Sequence, residues 1–249
     1  MKGIGELKNI QIIILGLCIV CATVFSTVIL SKGVIQVKKL TEEIIEVSGS
    51  AEKDIVSDYI VWTSEFRRRD IELKDAYAQL KDDLKKVKAY LLSKGIKDGE
   101  IVVSQVKNVT LYKKTEEGHN TNEIEGYLVA QEIEVRSYDV NKITDISRQS
   151  TELLDQGIQF MSDAPEYFYT SLSDLKIEML ARATENAKER AVRIAASTGS
   201  KIGVIRSAKM GTFQINPINS YDVSWYGNHD TSSLEKKVIA IVHAKFGVE

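Results

Sequence analysis

At 249 residues the chain is long enough for one large domain or two small ones with a true core. Its 33 basic and 35 acidic side chains hide an asymmetry: residues 1–40 hold five lysines and one glutamate, leaving a net charge of −6 on the rest. An acidic body argues against sequence-independent nucleic-acid binding, which requires a basic footprint, so no nucleic-acid partner is expected.

The first predicted element is "IQIIILGLCIVCATVFSTVIL", residues 10–30, opening at Ile10 and closing at Leu30 without a single charge. At about 1.5 Å per residue it matches the roughly 30 Å hydrocarbon core of a bilayer. A secretory leader has a shorter apolar stretch and a small-x-small cleavage site. This run exits through "TVILSKGVIQVKK", with no Ala-x-Ala-like pair. Leu17 and Val20 precede Cys18 and Cys21, which disfavours a lipoprotein signal. Crowded β-branched residues and the lack of a polar face disfavour a buried core helix. The expectation is an uncleaved, single-pass anchor whose partner is the lipid bilayer. The flanking lysines leave orientation open, because long domains translocate largely regardless of flanking charge.

From Thr41 onward the pattern is α+β. "EEIIEVSGSAEKDIVSDYIVWTSEFRRR" reads as two strands joined through a turn near Lys53 to Asp58; Ile60 and Trp62 alternate with Tyr59 and Val61. Ile71, Leu73, Tyr77, Leu80, Leu84, Val87 and Leu91 recur at helical spacing, and Gly95 is a C′ stop. "DGEIVVSQVKNVTLYKK" and "NEIEGYLVAQEIEVRS" form a hairpin with "TEEGHNTN" as its tip; Tyr127, Val129, Gln131, Ile133 and Val135 share one face. A second helix opens at the N-cap Asp139 and runs through Val140, Ile143, Ile146, Leu153 and Leu154 to Gly157. The next strand is interrupted by Pro165, marking an edge or a bulge. The longest helix covers residues 173–198 and stops at Gly199; two closing strands follow, with Val238, Ala240, Val242, Ala244 and Phe246 facing inward.

Helix, glycine stop and two antiparallel strands therefore occur at residues 70–136 and again at 172–248. The expected architecture is an N-terminal transmembrane helix followed by two α/β sandwich lobes with antiparallel sheets. The boundaries are 1–40 for tail, anchor and juxtamembrane segment, 41–137 for the first lobe and 138–249 for the second.

"EVSGSAEKDIVSD" resembles the opening motif of SIMPL-domain (YggE-like) proteins, a glycine-containing first strand running into an acidic turn. "ARATENAKERAVRIAASTGSKIGVIRSAKMGTFQI" is similar to that family's alanine-spaced helix, glycine, Ile-Gly-Val step and outgoing strand. The resemblance spans about residues 44–248. It implies a bacterial envelope protein of two α/β lobes, held in the inner membrane with its C-terminal part on the periplasmic or extracellular side. Some members form ring-like homo-oligomers, and bacterial members are associated with oxidative-stress tolerance. It implies no catalytic residues.

The same stretch reads physically. Ala183, Ala187, Ala191 and Ala195 make a smooth stripe that lets a backbone approach closely, with Ile177, Leu180 and Ile194 supplying bulk near it. Arg182, Lys188, Glu189, Arg190 and Arg193 fall elsewhere, as a solvated face with pairs such as Glu185–Lys188 and Glu189–Arg193, or as an anion or partner patch.

Both cysteines lie in the apolar run, so the body has neither a thiol nucleophile nor a cysteine zinc site. His119 sits at a hairpin tip, His243 on the outward face of the last strand, and His229 beside Asp230 and Ser232 resembles a triad in residue type only. No catalytic residue, metal site or cofactor is expected. The least ordinary stretch runs from Asn216 to Ser233 and carries Tyr221, Trp225 and Tyr226. It is an interface, a loop that folds back and covers its own sheet edge, or a site for a small ligand. Two functions compete: a non-enzymatic, self-assembling envelope protein acting as a scaffold or stress-protective structure, and a binding module for a small molecule or peptide.

Overall fold

The computed structural model describes residues 3–220 and 224–248. Helix α1 (Gly3–Glu42) is followed by β1 (Ile44–Val56), β2 (Tyr59–Asp70), α2 (Leu73–Ser93), β3 (Ile101–Val103), β4 (Lys107–Lys114) and β5 (Asn120–Ser137). Then come α3 (Val140–Gln149), α4 (Glu152–Asp155), β6 (Gln159–Ser162), β7 (Glu166–Phe168), α5 (Leu172–Ser197), β8 (Ile202–Pro217) and β9 (Glu235–Val248). The class is α+β, with an apolar N-terminal helix and antiparallel sheets.

One sheet is built around β2, which pairs antiparallel with β5 on one side and with β6 and β7 on the other. The far side of β5 takes β3 and β4. Alternation along β2 puts Ile60, Trp62, Ser64 and Phe66 on one fully buried face, and β5 adds Val129, Gln131, Ile133 and Val135. Leu80, Val87 and Leu91 of α2 and Ile143 and Ile146 of α3 close this core. Pro165 falls between β6 and β7, both on the same edge of β2, where its missing N–H costs no ladder bond.

The buried stripe of α2 also includes Asp83, 1% exposed. Its carboxylate accepts from Arg68 of β2, Nε to Oδ2 at 2.5 Å and Nη2 to Oδ1 at 2.9 Å. This forked pair ties the helix to the strand, and the carboxylate holds the guanidinium's pKa above its ordinary value despite partial burial.

The second sheet has the order β1–β9–β8. Val238, Ala240, Val242, Ala244 and Phe246 of β9 are all buried, as the alternation requires. Ala187 and Ala191 of α5 pack on Val47, Ala244 and Phe246. Gly49 of β1 explains the small residues: a Cβ there would lie 2.1 Å from the Ala183 carbonyl oxygen and 2.4 Å from the Ala187 nitrogen. Strand backbone thus runs directly against helix backbone, and the two motifs that carry the family resemblance meet in one contact.

The chain divides into two compact units, one of residues 1–51, 180–211 and 241–249, the other of residues 52–179 and 212–240. Sequential lobes at 41–137 and 138–249 do not map onto them, because the first strand after the anchor shares its sheet with the last two strands. Three local expectations also change. The turn after β1 is only Ser57 and Asp58, so Lys53 to Val56 belong to the strand, and β1 and β2 join different sheets. The helix from Asp139 ends at Gln149 and a short α4 follows; the Ser147 and Ser150 hydroxyls donate to the Thr144 and Ser147 carbonyls, and such side-chain bonds compete with the helix. On α5, Ile177, Leu180 and Ile194 are exposed; the buried stripe is Leu175, Met179, Ala183, Ala187, Ala191 and Ala195, each four residues apart. The N-cap at Asp139, whose carboxylate accepts from the Lys142 N–H, and the left-handed glycines Gly95 and Gly199 stand as expected.

Candidate interaction surface

Within α1, the stretch Ile14–Lys38 has a mean hydropathy of 2.4 and none of it is buried against the protein. Its polar side chains satisfy themselves: the Thr23, Thr27 and Ser31 hydroxyls donate to the carbonyls of Val20, Thr23 and Val28. A helix of that length whose hydroxyls bond back to its own carbonyls suits a hydrocarbon surrounding. Cys18 and Cys21 are free and exposed on it.

The loop between β8 and β9 is fastened at both flanks and presents its apex to solvent. Gln214, fully buried, donates from Nε2 to the Ser224 carbonyl at 2.6 Å. The Asn228 amide donates to Asn216 Oδ1 at 2.7 Å, and the Ile215 N–H donates to the Asn228 carbonyl at 2.8 Å. Further along, the Lys236 ammonium, 2% exposed, donates to the Tyr167 carbonyl at 2.6 Å and to the Asp230 carbonyl. Burial lowers the lysine's pKa, and Asp230 opposes that shift. Between these fastenings the turn closes with the Gly227 N–H on the Ser224 carbonyl. Trp225 and Tyr226 on that turn are 93% and 99% exposed.

One limb of this loop packs on its own chain, while its turn stands clear. Its later limb folds back to bridge β8 at Ile215 and His229, covering some edge. The Trp225 and Tyr226 rings cover nothing of their own chain. Tyr221 lies outside the described residues.

A second surface was not singled out from the sequence. Ile71, Leu73 and Tyr77 continue the apolar spacing of α2, yet are 74%, 37% and 50% exposed. Leu73 and Tyr77 line a groove of about 610 Å³ with Val106, Asn108, Tyr127 and Val129, and Glu72 and Lys74 stand at it. The available signal was an apolar helical stripe that begins a full turn before the helix reaches its core partners.

The histidines do not converge. His119 is exposed at the hairpin tip, and His243, exposed on β9, shares a 2.8 Å hydrogen bond with the Ser48 hydroxyl. Ser232 donates through both its N–H and its hydroxyl to Asp230 Oδ1, which turns the loop and ties that hydroxyl to a carboxylate rather than to His229. Arg190 on α5 donates to the Ser48 carbonyl, helping to pin helix to sheet. Among the described residues, no three His, Cys, Asp or Glu side chains gather as a metal site.

These features define an α+β protein with a candidate membrane helix, whose β1 glycine is seated on an alanine-striped helix. The family model SIMPL, described as "Protein of unknown function (DUF541)", matches residues 45–238. The chain belongs to the SIMPL family. No curated protein matches it. Among solved structures, a crystal structure of an amidase of the hydantoinase/carbamoylase family from Burkholderia phymatum aligns at 11% identity and a TM-score of 0.29. It covers 52% of this chain and 34% of its own, too slight a likeness to bear on fold or activity.

Proposed function

We propose that this chain is a membrane-anchored, extracytoplasmic SIMPL protein that acts without catalysis by assembling with copies of itself into an envelope scaffold or stress-protective structure. The single observation that supports the reading is the turn tied to Gln214 through Ser224 with Trp225 and Tyr226 exposed. Contiguous exposed apolar surface marks interaction sites, and large aromatics are common anchors of protein interfaces. Inner-membrane placement rests on α1 and on the envelope setting that the family resemblance implies. Joint replacement of Trp225 and Tyr226 by alanine is expected to lower oligomer mass in size-exclusion chromatography with light scattering, with the far-ultraviolet circular dichroism unchanged. A variant that keeps its mass would count against this loop as the contact.

The membrane part has its own test. The full chain is expected to stay in the membrane pellet after a carbonate wash, and a mature N-terminus found between residues 25 and 40 would contradict an uncleaved anchor. The alternative of a small-molecule or peptide-binding module draws on the groove at Tyr77, whose volume is within the range of ligand sites. A strictly monomeric chain with a ligand-dependent rise in melting temperature would favour it.

A further inference from the structure

We infer that Trp225 and Tyr226 of one copy insert into the groove between α2 and the β4–β5 hairpin of a second copy, a head-to-tail contact between identical chains. The inference rests on the self-assembly reading and specifies its geometry.

The two surfaces are unexplained in complementary ways. The turn offers a projecting aromatic pair with no seat, since 93% and 99% exposure leaves neither ring in a groove of its own chain. The groove offers apolar walls with no filler: Leu73, Tyr77, Val106 and Tyr127 surround about 610 Å³. Neither feature is required by the core, whose contacts on α2 begin with Ala76 and Leu80.

Chemistry matches as well as shape. An indole N–H and a phenol O–H each need a polar partner when buried. The Glu72 carboxylate and the Asn108 amide supply acceptors at the groove. Lys74 also lines the groove, and an ammonium is attracted to an aromatic face. The Tyr77 and Tyr127 rings present faces and edges for offset or edge-on packing.

Two aromatic side chains bury roughly 300–500 Å² between them, about half of the roughly 800 Å² per partner typical of a stable interface. Ile71, 74% exposed beside the groove, extends the apolar footprint. Turn and groove are different surfaces, so the contact is heterologous: every copy uses its turn once and its groove once. Such a contact closes into a ring or runs on as a filament rather than stopping at a dimer.

The test uses the full-length chain in detergent micelles, with Cys18→Ser and Cys21→Ser removing the native thiols. Two differently tagged forms are co-expressed, one carrying Ser224→Cys beside the aromatic pair and the other Asp75→Cys beside the groove, so that every contact ring is kept, and treated with a short bismaleimide. The expected product is a covalent pair carrying both tags. Separately, Tyr77→Asp is expected to bring the assembly down to monomer mass with unchanged circular dichroism, as is Leu73→Asp. An oligomer that survives these charge variants and gives no mixed-tag product overturns this contact while leaving self-assembly standing. A monomeric parent chain overturns both. A product joining only Ser224→Cys chains to each other means an isologous contact and also overturns the inference. Quenching of the parent chain's tryptophan emission by brominated lipid that is lost in the Trp225→Phe variant would place the turn in a bilayer, with the same consequence.

Discussion

Gly49→Val is expected to lower the thermal midpoint of the detergent-solubilised chain by roughly 6–12 °C, the counterpart of about 3 kcal/mol of overpacking in a chain of this size. The reason is geometric. The first added carbon would sit 2.1 Å from the Ala183 carbonyl oxygen and 2.4 Å from the Ala187 nitrogen, and both are helix backbone that cannot rotate aside. Relief requires α5 to lift from β1, which would also open the packing of Ala187 and Ala191 on Val47 and Phe246. Ala187→Leu attacks the same contact from the helix side and should lower stability in the same direction, since Ala187 is fully buried. Gly99→Ala is the control: a Cβ there meets nothing within 4 Å, and the midpoint should hold. Equal midpoints for the Gly49→Val and Gly99→Ala variants would show that strand and helix are not in backbone contact.

Asp83→Ala is the second large effect. The carboxylate is 1% exposed and holds the Arg68 fork with two bonds, so its removal strands a guanidinium beneath α2. Breaking one side of a buried pair costs about 3–5 kcal/mol, and the 23% exposure of the Arg68 side chain puts this case near the lower end. Replacing both partners together, Asp83→Leu with Arg68→Met, should recover most of the loss, because the penalty comes from the orphaned charge rather than from the absent pair. Chemical denaturation of the parent, the Asp83→Ala chain and the double variant measures this directly. A double variant no more stable than Asp83→Ala would mean that the site requires its charges.

Periodicity made most of the elements legible. Ile60 and Trp62, the face from Tyr127 to Val135, and the alternation from Val238 to Phe246 each announced a strand with one buried side. The alanine spacing of α5 announced its close approach, although the position of Gly49 opposite Ala183 and Ala187 needed the fold. Which strands share a sheet was not legible, because β1 reaches β9 across almost the whole chain and local pattern carries no pairing information. Asp83 was hidden inside an apolar stripe, where a helical reading registers hydrophobic positions and passes over one buried carboxylate. In the candidate site, Trp225 and Tyr226 stood out as aromatics in a polar loop. Their bareness depends on Gln214 and Asn216 fastening the flanks, a tertiary effect. The groove at Tyr77 escaped because its residues look like ordinary core positions in the sequence, and only the fold shows Leu73 and Tyr77 left partly bare beside β4 and β5.

The mass of the full-length chain extracted in mild detergent, measured by light scattering with the detergent contribution subtracted, tests the central claim most directly. A membrane-anchored protein that assembles through its extramembrane part should give one sharp species of several copies, unchanged on dilution to micromolar protein. A single species of 27.8 kDa under the same conditions would contradict self-assembly.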